Sequence, residues 1–255
     1  MAGFWLPLDS KAAPSCTPRR HDIAQINLDN SNSSSSLGVL GGNLRLSDAA
    51  RTWDGLEAAD LVIQNTTRYL PNNAWMNRVV ERERGSFGRI NLRAEQSKNG
   101  TTFALAQLNF TFVQAGTDEQ LPLGRTYFTL HDLSQTANGA LECVQLLGAS
   151  AIYLSNDTEL TVTYLSSNAS MAGAPLICGT TPGGAHTLPE DPHNLTAVQR
   201  ARTVAFALED VSSFDLRLML YAPSGEGTWG RNFFFSGCDD CDEALRCDGP
   251  PPLAP

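Results

Sequence analysis

Apolar and polar positions alternate through most of the chain after about residue 44, and this pattern predicts short β-strands. The alternation is clearest in residues 214–221, where apolar side chains occupy every even position. Similar patterns predict strands at 61–63, 88–92, 102–113, 126–130, 142–147, 151–154, 159–165, 204–208 and 231–236. Each of these strands would bury one face and expose the other, as in antiparallel sheets.

Two packed antiparallel sheets are the natural arrangement for strands of this kind, because each sheet must cover its apolar face. We therefore predict an all-β protein, an antiparallel two-sheet β-sandwich of the jelly-roll type with one short helix. The strand count is too high for an immunoglobulin domain, and the Cys–Trp–Cys spacing of that fold is absent. The helix is predicted over residues 195–202, with Asn194 as its N-cap.

The composition changes at both ends of the chain and predicts three regions. Residues 1–45 form an irregular N-terminal extension, in which the Ser-rich segment 27–43 is expected to be a mobile surface loop. Residues 46–237 form the β-sandwich domain, and residues 238–255 a Cys- and Pro-rich tail or linker. No signal peptide or transmembrane run is visible, and the proline-rich end suggests a module of a larger protein.

Seven Asn-x-Ser/Thr sequons, the acceptor motif for N-linked glycans, occur in the chain and predict a secreted glycoprotein. Their asparagines are Asn32, Asn65, Asn99, Asn109, Asn156, Asn168 and Asn194. In the strand around Asn109 the apolar residues fall at even positions, so Asn109 and Thr111 should point outward. The alternative is that these asparagines are unmodified polar turn residues.

The six cysteines agree with an oxidising compartment, because an even count in a sequon-rich chain predicts up to three disulfides. They are Cys16, Cys143, Cys178, Cys238, Cys241 and Cys247. Our working hypothesis is that Cys16 pairs with one of the three C-terminal cysteines, which leaves Cys143–Cys178 as an internal pair. The Cys238–Cys241 spacing lacks the second ligand pair of a zinc site.

The charge distribution and the missing motifs narrow the possible functions. The net charge is −9, and the basic residues form no stripe, which argues against nucleic-acid binding. The chain contains no GxSxG, HExxH, P-loop or GxGxxG motif, nor a strand with alternating carboxylates of the glycosidase type. We therefore expect a protein that is not an enzyme, and a hydrolase with an unrecognised site is the weakest alternative.

Acidic residues at strand ends suggest a structural calcium ion. Asp132 ends one predicted strand, Glu142 begins the next, and Asp60 precedes a third, while Asp157 could supply a further ligand. Calcium prefers oxygen ligands of this type. The alternative is that these acids initiate turns and keep strand edges soluble.

Aromatic residues in loop-like segments are the candidate ligand contacts, since flat rings stack on sugar faces. They are Trp53, Tyr69, Trp75 and Trp229, of which Trp229 lies in a glycine-rich segment before the last strand. The alternative is that these large side chains fill the ends of the sandwich.

Several short segments resemble a secreted β-sandwich module found in surface proteins of unicellular algae. They are Asp60–Ile63 with Tyr69–Pro71, Phe87–Asn91, Thr129–Leu133 followed by Glu142–Val144, Pro189–Gln199, Val211–Phe214 and Gly230–Phe235. The resemblance spans roughly residues 55–237 and implies a surface location and a β-sandwich fold, with no established activity. The family pattern tends to read Asp-Leu-Asp where this chain has Asp132-Leu-Ser134, which weakens a calcium site at that point.

Together these features predict an extracellular module that is carbohydrate-binding or adhesive at the cell surface. Its partners would be glycans or other surface proteins, and its loops would make the contacts. The main alternative is a purely structural surface or cell-wall domain.

Overall fold

The computed structural model describes residues 5–7, 23–29, 31–38, 42–96, 100–136, 139–164, 174–183, 187–222 and 229–237. The strands are β1 (Trp5–Pro7), β2 (Ile23–Ile26), β3 (Asn32–Ser35), β4 (Asn43–Arg51), β5 (Ala58–Asn65), β6 (Arg78–Arg82), β7 (Gly85–Gln96), β8 (Thr102–Gln114), β9 (Arg125–His131), β10 (Leu141–Leu147), β11 (Ala151–Ser155), β12 (Leu160–Thr163), β13 (Leu176–Gly179), β14 (Val204–Leu208), β15 (Ser213–Ala222) and β16 (Trp229–Ser236). A 3-10 helix, Ala74–Met76, and one α-helix, α1 (Ala197–Ala201), complete the described elements.

The strands hydrogen-bond into one large, strongly curled and almost entirely antiparallel sheet. One part of it runs β3-β4-β5-β8-β15-β10-β13-β12, and the other contains β1, β11, β14, β9, β16, β7 and β6. Two strands join the parts: β7 pairs with both β16 and β8, and β2 pairs with both β4 and β9. The all-β antiparallel prediction is confirmed in this form, whereas two separate sheets are not shown, because the bridging strands make the hydrogen bonding continuous.

The core lies inside the curl, where phenylalanines from both parts of the sheet meet. Phe110 of β8 stacks on Phe214 of β15 with ring centroids 5.0 Å apart, and Phe128 of β9 lies 5.3 Å from Phe235 of β16. Phe110 also contacts Phe128 and Phe235 edge to face. The alternation seen in the sequence supplies these rings, because every second residue of each strand faces the interior.

The helix α1 begins later than predicted, and its N-cap is Thr196 instead of Asn194. The Thr196 hydroxyl accepts a hydrogen bond from the Gln199 N–H, while the Gln199 side chain accepts one from the Thr196 N–H. This reciprocal capping box outcompetes a single asparagine cap, because it satisfies two backbone donors. No helix among the described residues is long and apolar enough to cross a membrane.

The Ser-rich segment differs from the expected mobile loop, because its residues Asn32–Ser35 form strand β3. They pair with β4, and Leu37 just beyond them is buried in the core. Strand β2 also pairs with the sheet, so part of residues 1–45 belongs to the fold. Small polar residues suit this position, since an edge strand needs backbone pairing on one side and exposed polar side chains. The division of the chain into domains remains a prediction.

The Cys143–Cys178 disulfide is present as predicted. The two cysteines lie directly opposite each other on β10 and β13, with a Cα–Cα distance of 4.0 Å. The other cysteines, Cys16, Cys238, Cys241 and Cys247, lie outside the described residues, and so does the predicted link between the termini.

Candidate ligand-binding groove

A gap in the sheet beside β8 forms the candidate site. On one side of β8, strand β5 pairs with residues 108–114, and β7 pairs only with residues 102–103. Neither strand lies in register with Ala104 or Leu105. On this side, the sheet therefore leaves a short stretch of β8 without a strand neighbour. The stretch lies between Leu108, which pairs with the end of β5, and Phe103, which pairs with the end of β7.

The backbone of Leu105 points into this gap. The Gln107 N–H donates to the Thr67 hydroxyl at 2.8 Å, and the Gln107 carbonyl accepts from the Thr66 N–H at 2.9 Å. Residues two apart in a strand direct their backbone groups to the same side. The Leu105 N–H and C=O consequently face the gap, where they can bind a ligand.

The gap opens into a groove of about 220 Å³. Its lining residues are Arg68, Leu70, Leu92, Arg93, Glu95, Phe103, Ala104 and Leu105. Pockets for drug-sized ligands start at about 300 Å³. The groove is therefore suited to a single ring with polar substituents.

The charged side chains of the groove leave an excess of positive charge. Glu95 lies 2.7 Å from an Arg93 Nη2 and 3.5 Å from an Arg68 Nη2. The Arg93 Nε is buried and has no hydrogen-bond partner among the described residues. Two guanidinium groups share one carboxylate, so the groove keeps a spare donor in a protein whose net charge is −9.

An exposed apolar row extends from the groove across the outer face of the sheet. Phe103 and Leu105 of β8 have 43% and 40% of their surface exposed, and Tyr221 of β15 has 38%. Phe103 lies directly opposite Tyr221, and Leu105 lies opposite Met219. A ligand in the groove could therefore also contact rings and aliphatic side chains outside it.

The same outer face becomes polar farther along β8 and β15. Gln107 accepts a hydrogen bond from Arg217 at 2.9 Å, and its amide group donates to Asp215 at 3.2 Å. Asn109 also donates to Asp215, at 3.0 Å. These side chains satisfy one another, so the apolar end near the groove has more unused binding surface than the polar end.

Of the aromatic residues proposed from the sequence, Tyr69, Trp53 and Trp75 are not among the residues that line the groove. Tyr69 is buried, and its hydroxyl lies 2.6 Å from the Asn91 carbonyl and 2.9 Å from the Asn77 amide oxygen. Burial raises the Tyr69 pKa, so this side chain is a neutral structural contact of the core. Trp53 and Trp75 are exposed, whereas Trp229 begins β16 and its side chain lies outside the described set.

Asp60, the first predicted calcium ligand, is engaged by protein donors. Its carboxylate accepts hydrogen bonds from the backbone N–H of Asp48 at 2.9 Å and of Gly116 at 3.1 Å, and from Arg45 at 2.9 Å. Burial alone would raise the Asp60 pKa, but these hydrogen bonds outweigh it and lower the pKa. The arrangement stabilises the turns around Asp60 without a cation.

Glu142 and Asp132, the other two predicted ligands, lie in a buried polar cluster. Glu142 accepts from the Ser134 N–H at 3.0 Å and forms an ion pair with Arg231. Burial raises the Glu142 pKa to about 7, Arg231 and Ser134 oppose this rise, and Asp132 adds to it. Asp132 has a left-handed backbone, with φ of 57°, and its buried Oδ1 has no hydrogen-bond partner in the described part of the chain.

The three predicted calcium ligands are not brought together. The described residues contain no group of three or more His, Cys, Asp or Glu side chains that could hold a metal ion. Asp132 and Glu142 interact electrostatically, while Asp60 contacts Arg45 and Gly116 on β4 and the segment after β8. The sequence places these acids at strand ends, but it does not show which strand ends lie next to each other in the fold.

Sequence reasoning missed the groove residues, although a signal for two of them was present. In β8 the even positions from 102 to 112 are buried, except for the partly buried Ala104, and their side chains are apolar from 104 onward. Phe103 and Leu105 break this alternation, because they are apolar at odd, outward positions. Apolar residues on the exposed face of a strand are a recognised sign of a binding surface.

The described sequons lie at different depths. Asn32, Asn156 and Asn194 are exposed, and Asn65 and Asn109 are half-buried. The outward orientation predicted for Asn109 is confirmed, since Leu108 and Phe110 on either side are fully buried. Asn99 and Asn168 lie outside the described residues.

Two solved structures from streptococci are similar to this chain at low identity. The N-terminal domain of the Streptococcus gordonii adhesin Sgo0707 has a TM-score of 0.46 and 10% identity, and the match covers 84% of this chain and 50% of that one. The glucan-binding protein C of Streptococcus mutans has a TM-score of 0.38 and 9% identity, over 84% and 63% of the two chains. The chain thus spans about half to two-thirds of each relative, and these values assign it no function.

No protein-family model matches the chain. No curated protein matches it in sequence. The resemblance to the algal module therefore remains a prediction from the short segments that carry it.

Proposed function

We propose that this protein is an extracellular carbohydrate-binding module with an adhesive role, and that its groove beside β8 holds a sugar residue. The observation that supports the proposal most is the combination of gap-facing Leu105 backbone groups, a spare Arg93 donor and exposed Phe103 in one small concave site. Small-molecule sites typically combine an apolar lining with a few converging polar groups.

Each part of the groove has a role in this proposal. The Leu105 N–H donates to one hydroxyl of the sugar, and the Leu105 C=O accepts from a neighbouring hydroxyl. Arg93 donates to a further oxygen, since its Nε is buried and otherwise unsatisfied. Phe103 packs against the apolar face of the ring, and Tyr221 across the strand pair extends this contact to a second sugar unit.

The proposed location is outside the cell. The Cys143–Cys178 disulfide is the kind of bond that persists in oxidising compartments. Asn32, Asn156 and Asn194 expose sequons that glycosylation enzymes can reach. We infer a binding role without catalysis, in which glycans or glycosylated surface proteins are the partners.

A glycan-array screen followed by titration calorimetry tests the groove. We expect Phe103→Ala and Arg93→Gln each to weaken binding of the selected neutral saccharide by roughly tenfold, which corresponds to about 1.4 kcal/mol of binding free energy. Trp53→Ala is the matched control, because Trp53 is an exposed aromatic residue outside the groove. Equal losses in all three variants, or no saccharide binding by the wild-type protein, would contradict the proposal.

A structural calcium ion near Asp132 and Glu142 remains a proposal, and thermal unfolding tests it. Asp132 offers a buried carboxylate oxygen without a protein donor in the described residues. A fall in melting temperature after EDTA treatment, restored by calcium and absent in Asp132→Asn, would support the ion. An unchanged melting temperature would remove calcium from the proposal and leave the sugar site as it is.

A further inference from the structure

Two arginines face each other across the hairpin of β6 and β7. Arg78 and Arg89 are directly opposite residues of this antiparallel pair, and Arg82 lies on the same face of β6 as Arg78. Like charges in directly opposite positions destabilise a sheet. Repulsion between the two arginines therefore lowers the stability of the hairpin, so a contribution to folding does not account for this pair.

An exposed tryptophan holds the two guanidinium groups. Trp75, in the 3-10 helix Ala74–Met76, has 58% of its surface exposed. The Arg78 Cζ lies 4.9 Å from the ring centroid, and the Arg89 Cζ lies 5.8 Å from it. These distances are within the range of cation–π interactions, which fix the positions of flexible arginine side chains.

Arg89 is nearly buried and only partly satisfied. Its Nε donates to the Met76 carbonyl at 2.7 Å, while its Nη2 is buried without a hydrogen-bond partner among the described residues. Burial lowers the Arg89 pKa, and the nearby Arg78 and Arg82 lower it further. Buried donors nearly always have an acceptor, so this one points to an acceptor supplied from outside the chain.

Among the described residues, two of the three charges in the cluster have no counter-ion. Arg82 lies 3.6 Å from Glu190. No described carboxylate lies within ion-pair distance of Arg78 or Arg89. This local excess of positive charge occurs in a protein whose net charge is −9, so it is not a consequence of general composition.

We propose that Trp75, Arg78 and Arg89 form a binding site for an anionic polysaccharide, in which the two arginines bind a sulfate or carboxylate substituent. Planar guanidinium groups bind such oxyanions through paired hydrogen bonds, and Arg89 has the free donor that this needs. Trp75 acts as a positioning residue that keeps the guanidinium groups in place.

The site lies on the same face of β7 as the groove. Arg89 and Arg93 are four residues apart on one strand, which corresponds to about 13 Å. Asn91 lies between them on this face and is buried against Asn73, so the anion site and the groove are separate sites. The inference does not depend on the proposed function, because the anion site has its own contacts.

Binding of three polysaccharides at about 150 mM salt, where the Debye length is about 8 Å, tests the site. Dextran sulfate and polygalacturonate carry the two candidate anions, and dextran is the neutral reference. We expect Arg78→Gln and Trp75→Ala to weaken binding of at least one anionic polymer roughly three- to tenfold, the scale of one charge-assisted contact. The variants should leave binding of a neutral saccharide unchanged.

Arg51→Gln is the matched control, because Arg51 is an exposed arginine on β4. The logarithm of affinity should also fall less steeply with the logarithm of salt concentration in Arg78→Gln, by roughly one unit of slope. Wild-type affinity in Arg78→Gln, or an equal loss in Arg51→Gln, would overturn the inference. If no neutral saccharide binds but anionic binding depends on Arg78, the groove proposal fails and the anion site stands.

Discussion

Two of the arginine–glutamate pairs among the described residues differ in their surroundings. In the interior, Arg231 of β16 pairs with Glu142 of β10, whose side chain is only 4% exposed. At the groove, Arg93 pairs with Glu95, and both of these side chains are more than one-third exposed. The residue types are the same and the two arginines are similarly exposed, at 32% and 36%, but the glutamate is buried in one pair and exposed in the other.

The hydrogen bonds around each pair explain what the difference means. Arg231 also donates to the Ser134 hydroxyl at 2.9 Å, and Ser134 donates to Glu142, so the three side chains form a closed set. At the groove, Glu95 serves two arginines, and the Arg93 Nε is left without a partner among the described residues. The hydrogen bonds among Arg231, Ser134 and Glu142 stabilise the sheet, whereas Arg93 at the groove has a donor left to bind a ligand.

Removal of Arg231, the partner of the buried Glu142, should have the largest effect on stability. Arg231→Met leaves the buried Glu142 carboxylate without its partner, and the expected loss in free energy of unfolding at pH 8 is about 3 kcal/mol. Urea unfolding measures it. Arg93→Met is the control and should cost less than about 1 kcal/mol, as expected of an exposed ion pair. Equal losses in the two variants would remove the distinction between the pairs.

The pH dependence of stability should show the second-largest effect, and it should depend on the buried Glu142. The Glu142 pKa is raised from 4.5 to about 7 by burial. A raised carboxyl pKa means that the folded state binds the proton more tightly, so this contribution is complete below about pH 4.5 and is lost as the pH rises through 7. Melting temperatures should therefore fall over this range in the wild-type protein. Glu142→Gln should flatten the curve, and a variant whose curve keeps the wild-type slope would contradict the role of Glu142.

Support for the groove walls should have an intermediate effect. Leu70 lines the groove, and its neighbour Tyr69 anchors the segment through its buried hydroxyl. We expect Tyr69→Phe to lower the free energy of unfolding by about 1–2 kcal/mol, because the Asn77 and Asn91 groups lose a partner. Chemical denaturation provides the measurement, and Tyr221→Phe, with an exposed side chain, is the control. No difference between the two variants would show that the Tyr69 hydroxyl is not needed.

The two arginines of the groove should differ in their effect on binding, with little effect on stability. Arg93→Gln should weaken saccharide binding more than Arg68→Gln, because Arg68 is more exposed and lies farther from Glu95. We expect about tenfold for the first variant and less than about threefold for the second. Calorimetric titration of both variants measures the ratio, and the reverse order would place the ligand at the outer rim of the groove.

Sequence patterns predicted the strands with clear alternation, because alternation is a local property of each segment, but they missed β4, β6 and β13. Residues 102–113 and 214–221 were predicted as strands and lie in β8 and β15. The exceptions were also local. Asn32–Ser35 became a strand because β4 offered backbone partners, and Thr196 replaced Asn194 as the cap through its contact with Gln199.

The all-β fold class could thus be predicted from the sequence itself, since strand alternation is a property of neighbouring residues. The extracellular compartment remains a prediction from the sequons and cysteines. The binding sites could not be predicted, because they depend on which strands meet. The groove exists because β5 and β7 leave Leu105 uncovered, and the anion site exists because Arg78 falls opposite Arg89. Register and strand order place residues far apart in the chain within contact distance, and only the tertiary structure determines them.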